Sequence, residues 1–66
     1  MTGIITRLQP TRGLGTLLGE DGEHYAFHRN DVREVWFHQL TEGATVVFEP
    51  SKQLSATGVR PVKASV

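Results

Sequence analysis

Five short stretches of the chain alternate apolar and polar residues or are rich in β-branched residues, and residues that favour turns separate them. They are residues 2–9, 12–19, 24–28, 44–49 and 54–62. Alternation with a period of two is typical of strands that bury one face, and Pro or Asp-Gly between such runs marks their ends. Pro10, Asp21-Gly22 and Pro50 fall at such boundaries. The pattern therefore predicts five short strands, with a hairpin turn at Asp21-Gly22.

Irregularities within the first two strands predict a sharply curved sheet. Ile4 and Ile5 are consecutive apolar residues, which a β-bulge in the first strand would accommodate. Gly13 and Gly15 fall on the same face of the second strand as Leu17. Glycine weakens a strand interior unless the sheet must bend or another group must come close. We therefore expect the second strand to be strongly bent, as in a small barrel.

The third strand carries Tyr25 and Phe27 on one face, and we expect both rings to point into the core. A register shifted by one residue would turn them outward, and this alternative stays open. After this strand, residues 31–40 carry apolar side chains at spacings of three and four, and Asp31 is a suitable N-cap. This segment is therefore predicted to form a single short helical turn followed by a loop.

Five short strands, glycine-rich bends and little helix predict an all-β fold, a small closed or partly open barrel. Ala56 and Val59 are the expected core positions of the fifth strand. With 66 residues, the chain is expected to form a single domain over residues 1–66, near the lower size limit for a core without disulfides or metal. No apolar stretch is long enough to span a bilayer, so we expect a cytoplasmic protein that does not bind membranes.

Composition and charge narrow the function classes. The chain has no Cys, which excludes a disulfide framework and a thiolate metal site. Seven Lys plus Arg balance seven Asp plus Glu, so the net charge gives no reason to expect a polyanion as partner. The distribution is uneven, because Arg7, Arg12 and Arg29 lie beside the first three strands while acidic residues crowd positions 20–23. A local basic face on a neutral protein is consistent with this pattern.

Four motifs in order resemble the cold-shock domain family. They are Gly3-Ile4-Ile5 with Arg12-Gly13-Leu14-Gly15, then Phe27-His28-Arg29-Asn30-Asp31-Val32, then the stretch from Phe37 to Glu49, and finally the stretch from Lys52 to Arg60. The resemblance implies a five-stranded antiparallel barrel of the oligonucleotide/oligosaccharide-binding type, the OB-fold. It also implies binding of single-stranded RNA or DNA by stacking of bases on outward aromatic rings of the first three strands.

The chain departs from the family at most of these aromatic positions. Arg7 stands in place of the usual Trp of the first strand, and Leu14 and Thr16 stand in place of two Phe. Ala26 and Arg29 replace two further aromatic residues. Base stacking contributes about 1–3 kcal/mol per base, so we expect weak binding unless other groups compensate. Arg guanidinium groups can stack on bases and contact phosphates, and they would make such binding depend steeply on salt.

The predicted nucleic-acid site combines the residues kept at family positions with those that replace its aromatics. These are Arg7, Arg12, Leu14, Thr16, His28, Arg29, Trp36 and Lys52. The arginines and Lys52 would follow the phosphate backbone, while His28, with Trp36 or Tyr25, would contact bases with low sequence specificity. The alternatives are that His28 only satisfies a neighbouring backbone group and that Trp36 is partly buried and seals the end of the barrel.

Other function classes receive less support from the residues. No nucleophile, base and orienting group form a recognisable set, and we expect no enzyme activity and no cofactor. His24 and His28 lie roughly 13 Å apart along an extended strand, too far to bind one metal ion. The main alternative is a protein-interaction module, in which Leu14, Leu18 and Trp36 form an apolar contact patch on a barrel that has lost nucleic-acid binding. In either case we expect a monomer.

Overall fold

The computed structural model describes residues 1–62, which form a closed five-stranded barrel with the strand order β1-β2-β3-β5-β4. The strands are β1 (Thr2–Gln9), β2 (Leu14–Gly19), β3 (His24–His28), β4 (Thr45–Ser51) and β5 (Ser55–Pro61). Single 3₁₀ turns cover Arg29–Asp31, Phe37–Gln39 and Lys52–Leu54. In this part of the chain no helix has the length and apolar character needed to cross a membrane.

The expectation of a purely antiparallel barrel is wrong at one seam. Strands β3 and β5 run parallel and pair Ala26 with Ser55, and Val32 bridges Val59 in the same sense. The other four neighbouring pairs are antiparallel. A closed ring with an odd number of strands cannot alternate direction all the way round, so at least one neighbouring pair must be parallel. Closure of a five-stranded barrel therefore requires this seam.

The strand boundaries match the predictions in β1 and β3, differ by one residue at each end in β5, and differ by up to two residues in β2 and β4. The predicted bulge in β1 is confirmed, because its register against β2 shifts between Ile5 and Arg7. Strand β2 begins at Leu14 because Gly13 lies in the preceding turn with a φ of 66°. Strand β4 continues through Pro50, which pairs with β5 beyond the part of β4 that pairs with β1. At Pro50 the edge of β4 that faces away from β5 has no partner strand. A proline is tolerated where its missing N–H would face such an unpaired edge.

The segment predicted as one helical turn after Asp31 instead consists of two 3₁₀ turns joined by a β-bridge at Val32 and a bend in which Glu34 has a φ of 72°. Asp31 does not begin a helix, since its carboxylate accepts a hydrogen bond from the backbone N–H of His28 at 3.0 Å. The backbone that follows is attached to β5: the N–H of Arg33 donates to the carbonyl of Val59 at 2.7 Å. This long-range bond uses a donor that a continuing helix would need.

The core consists of inward side chains from all five strands and from the loops at one end. Its buried apolar residues are Ile5, Leu17, Tyr25, Phe27, Val32, Leu40, Val46, Phe48, Ala56 and Val59. Ala56 and Val59 are fully buried, as predicted. Tyr25 and Phe27 point inward, which excludes the shifted register. Tyr25 is therefore not available as a base-stacking surface, and that part of the predicted site is wrong.

Candidate nucleic-acid interface

The register of β1, β2 and β3 arranges the predicted outward residues in two rows across the sheet. One row is Arg7, Thr16 and Ala26, and the next is Gln9, Leu14 and His28. Side chains directly opposite each other on neighbouring strands have Cβ atoms about 4.5–5.5 Å apart. These six residues share a surface, here called the sheet face. The sequence singles out five of them, all except Gln9.

The centre of the sheet face is smooth and aliphatic. Leu14 is 40% exposed, Ala26 is exposed, and Thr16 between them is half-buried. A shallow depression of about 140 Å³ crosses both rows, with Arg7 among its lining residues. This surface can accommodate a flat base or a sugar, but Leu14, Thr16 and Ala26 carry no ring on which a base would stack.

His28 lies at the edge of the sheet face, where β3 ends. Its Nδ1 accepts a hydrogen bond from the backbone N–H of Asn30 at 3.2 Å. In the neutral imidazole this bond assigns the remaining proton to Nε2, which is then a donor. His28 therefore does satisfy a neighbouring backbone group, as one alternative expected. The same bond sets its tautomer, so the two predicted roles are compatible.

Arg12 and Lys52 lie in loops that border this surface. Arg12 belongs to the turn between β1 and β2, where its N–H donates to the carbonyl of Gln9 at 3.0 Å. Lys52 begins the 3₁₀ turn between β4 and β5, a turn that contacts β3. Both side chains are exposed. They bring positive charge to the borders of the sheet face.

Arg29 is positioned by Gly13. The N–H of Arg29 donates to the carbonyl of Gly13 at 2.8 Å, and the arginine stem then crosses over the glycine. A Cβ atom added to Gly13 would lie 3.0 Å from Cδ and 3.2 Å from Nε of Arg29. Gly13 thus provides both the positive φ of the turn and the space for the arginine stem. The period-two glycine pattern had suggested only a bend.

Trp36 is 72% exposed, so it does not seal the barrel. Its backbone is held by Gln39, whose Oε1 accepts from the Trp36 N–H at 2.8 Å and whose own N–H donates to the Trp36 carbonyl at 2.9 Å. The adjacent Phe37 turns inward, with its ring centroid 6.0 Å from that of Phe27. The segment is therefore anchored by Phe37 and presents Trp36 to solvent.

A groove of about 620 Å³ joins the end of β3 to this segment. It is lined by Pro10, Arg29, Asn30, Val32, Val35, Trp36, Phe37 and His38. The groove brings together Arg29 and Trp36 from the predicted site, whereas Arg7 and Thr16 lie on the sheet face. The sequence prediction missed Pro10, His38 and Gln39. A capping-box spacing, with Gln three residues after Trp36, was the available signal for Gln39.

The acidic residues of positions 20–23 lie at the other end of β2 and β3, in the turn after the Leu18–His24 pair. The Tyr25 hydroxyl donates to Oδ2 of Asp21 at 2.6 Å. This hydrogen bond lowers the pKa of Asp21 and raises the pKa of Tyr25 to about 12. Hydrogen bonds from the N–H and hydroxyl of Thr2 likewise lower the pKa of Glu20. Glu20, Asp21 and Glu23 thus lie at the far end of β2 and β3, whereas Asp31 and Glu42 lie beside the sheet face, bonded to the backbone N–H groups of His28 and Leu8.

Comparison with models of protein families found no match, and no curated protein matches the chain. Membership of the cold-shock domain family therefore stays a prediction based on the four motifs. Among residues 1–62, no group of three or more His, Asp or Glu side chains is arranged to hold a metal ion. The site is thus described by its own geometry: an aliphatic sheet face, a donor at His28, and a groove containing Arg29 and Trp36.

Proposed function

We propose that this protein binds single-stranded RNA or DNA weakly and with low sequence specificity. The observation that carries the proposal is that Trp36, 72% exposed, lines the same groove as Arg29, beside His28 and the sheet face. An exposed indole is available to a partner, and tryptophan is enriched at interfaces. An aromatic surface next to exposed arginines is the combination that binds single strands, because bases stack and phosphates pair with the cations.

The architecture supports this proposal. The strand order and the parallel β3–β5 seam are consistent with an OB-fold barrel of the cold-shock type. Barrels of the OB class bind oligonucleotides on the face of β2 and β3 and on the loops between β1 and β2 and between β4 and β5. In this chain, those two loops carry Arg12 and Lys52. The basic side chains thus lie where such a barrel would need them.

Each group has a distinct role in the proposed mechanism. Arg7, Arg12 and Lys52 pair with successive phosphates, while the Nε2–H of His28 donates to a base. Trp36 provides the stacking surface that the sheet face lacks. Since phosphate contacts release bound counterions, affinity falls steeply as salt rises.

The test is a titration with a pyrimidine-rich heptanucleotide at low salt, run in parallel with DNA and RNA. Trp36 is the single tryptophan of the chain, so its fluorescence reports directly on the groove. We expect quenching of this fluorescence and shifts in the amide resonances of Arg12, Thr16 and His28. His24→Ala is the control variant and should bind as the wild type does, since His24 lies on the same strand as His28 but beside the acidic turn. Unchanged fluorescence and amide resonances at saturating oligonucleotide would refute the proposal.

A protein contact is the second candidate, and it rests on exposed apolar residues of β1 and β2. Ile4 is 48% exposed and pairs with Leu18, which lies two positions beyond Thr16 on the same outward side of β2. Trp36, however, shares its groove with Arg29. An apolar patch without nearby arginines would favour a protein partner, so this arrangement favours nucleic acid.

A further inference from the structure

We infer that the groove at the end of β3 binds a guanine base, which stacks on Trp36 and is read by Arg29. This inference rests on the proposed function, and it adds one position of base preference to otherwise sequence-tolerant binding. It follows from three properties of the groove: an exposed indole on an anchored backbone, an arginine whose stem lies over Gly13, and an apolar lining of suitable size.

The backbone that carries the indole is anchored on both sides of Trp36. Gln39 holds the Trp36 backbone through two hydrogen bonds, at 2.8 and 2.9 Å. Phe37 packs against Phe27, which is a core residue. Backbone that is already ordered adds no ordering cost when a ligand binds. A base that stacks on Trp36 therefore has to order only the indole side chain and not the segment that carries it.

The guanidinium group is guided by the contact between Arg29 and Gly13. The side chain lies over the glycine along its length, with Cγ, Cδ and Nε all within 3.2 Å of the position that a Cβ would take. The position of the stem limits where the planar guanidinium group can lie. Such placement favours bidentate hydrogen bonding. Arginine has donors only, so it selects an edge with two adjacent acceptors.

On the Hoogsteen edge, guanine alone among the four bases offers two adjacent acceptors. Cytosine has two adjacent acceptors, N3 and O2, on its Watson–Crick edge, and the dC strand of the test below distinguishes this alternative. The O6 and N7 atoms of guanine accept two parallel hydrogen bonds from arginine, whereas adenine presents a donor beside N7 and cytosine presents a donor at N4. The thymine O4 provides a single acceptor. A base stacked on Trp36 with this edge towards Arg29 satisfies both neighbours at once.

The lining favours a base over a phosphate group at this position. Five of the eight lining residues are apolar or aromatic: Pro10, Val32, Val35, Trp36 and Phe37. A phosphate is strongly hydrated and gains nothing from such walls, whereas a base buries its apolar faces there. The volume of about 620 Å³ lies within the usual range for small-ligand sites and is sufficient for one nucleotide. No carboxylate lines this groove in the described part of the chain, and Asp31, which lies between two of the lining residues, has its carboxylate bonded to the backbone N–H of His28.

The test compares heptathymidylate with the same strand carrying dG, dA or dC at one position, with the substitution moved along the strand. Trp36 fluorescence gives each dissociation constant at fixed salt. We expect the dG strand at the best position to bind roughly five- to a hundredfold tighter than the others, since a bidentate Arg–guanine pair discriminates to that extent. Inosine, which keeps O6 and N7, should bind like guanine, and 7-deazaguanine, which lacks N7, should lose the advantage.

Protein variants separate base reading from charge. Arg29→Lys keeps the charge but not the fork, so the dG preference should fall to within about twofold while binding to heptathymidylate changes little. The matched control Arg12→Lys should keep the preference. Amide spectra of both variants establish that the barrel is intact.

Three results would overturn the inference. Equal binding of all four strands would refute guanine reading while leaving the proposed function intact. A loss of affinity in Arg29→Lys that is equal for all four strands would show that Arg29 does not read the base. Absence of binding to every strand would refute the proposed function itself, and the guanine site with it.

Discussion

The ring of Phe27 lies directly over Gly15, its pairing partner on the neighbouring strand. A Cβ atom on Gly15 would lie 2.8 Å from Cε1 of the ring and closer still to Cζ. Gly15 is therefore required for close packing of an aromatic ring, whereas Gly13 is required for a turn with positive φ. The two glycines look equivalent in the sequence and serve different physical purposes.

Gly15→Ala should destabilise the barrel. The added methyl group has to displace the Phe27 ring, and overpacking of this kind costs about 1–3 kcal/mol. Urea denaturation followed by Trp36 fluorescence or circular dichroism measures the change in the free energy of unfolding. Thr16→Ala, on the outward face of the same strand, is the control and should change stability by less than about 0.5 kcal/mol.

A second-site change tests the cause of this loss. Phe27→Leu is itself destabilising, but it makes room for the methyl group. The cost of Gly15→Ala should therefore be smaller in the Phe27→Leu background than in the wild type. Additive costs would show that the ring is not what excludes a side chain at position 15.

Stability should fall between about pH 10 and pH 12 because of Tyr25. Its hydrogen bond to Asp21 raises the pKa of the folded state to about 12, above the usual value near 10. A raised pKa in the folded state stabilises the fold fully below the unfolded pKa, and this contribution is lost as pH rises through the folded one. Free energies of unfolding measured across this range should decline in the wild type and lack this decline in Tyr25→Phe.

The same contact predicts a loss of stability in acid. The pKa of Asp21 is lowered chiefly by the hydrogen bond from Tyr25, so its contribution is present above the usual Asp value and is lost as pH falls through the folded pKa. Asp21→Asn should be less stable than the wild type at neutral pH, and the difference should shrink below about pH 4. Parallel curves for the two proteins down to low pH would contradict this assignment.

Gln53→Gly should stabilise the protein. Gln53 has a φ of 65° and the next residue, Leu54, has a φ of 59°, so two consecutive side chains occupy the left-handed region. Relief of the left-handed strain, less the greater freedom of glycine in the unfolded chain, should leave a net gain of about 0.5–1 kcal/mol.

The control for this change is Lys52→Gly, one residue earlier. Lys52 is not in the left-handed region. Glycine there relieves no strain and only adds freedom to the unfolded chain, so stability should fall. The melting temperatures of the two variants should move in opposite directions, and a shared direction would mean that backbone conformation at position 53 is not the cause.

Aromatic side chains placed on the sheet face should strengthen nucleic-acid binding. Leu14 and Thr16 are outward, and Thr16 pairs with the small Ala26, which leaves room for a larger ring. Leu14→Phe and Thr16→Phe should each increase affinity for a pyrimidine heptamer, by up to about 1–3 kcal/mol for each base that stacks. Leu18→Phe, at the acidic end of the same strand, is the control and should have little effect. Unchanged affinity in both test variants would show that the bound nucleic acid does not cross the sheet face.

Local patterns in the sequence were sufficient for the strands and their faces. Alternation correctly predicted the inward positions of Tyr25 and Phe27. This prediction succeeds because side chains on a strand alternate between two faces, so burial depends on neighbouring positions in the chain. The bulge near Ile5 was predictable for the same reason. The predicted core positions Ala56 and Val59 are also buried, although they lie three residues apart, because the pairing of β5 with β4 shifts register between them.

Only the tertiary structure decided how the segments meet. The parallel β3–β5 seam follows from closing five strands into a ring, which no single strand encodes. The joining of Arg29 and Trp36 in one groove depends on where the chain runs after β3, and that path is set by the bond from Arg33 to Val59 on β5. Hydrophobic periodicity reports which face of an element is buried, whereas the groove arises from contacts between residues distant in sequence. The strands could therefore be derived from the sequence alone, while the candidate binding groove required the assembled barrel.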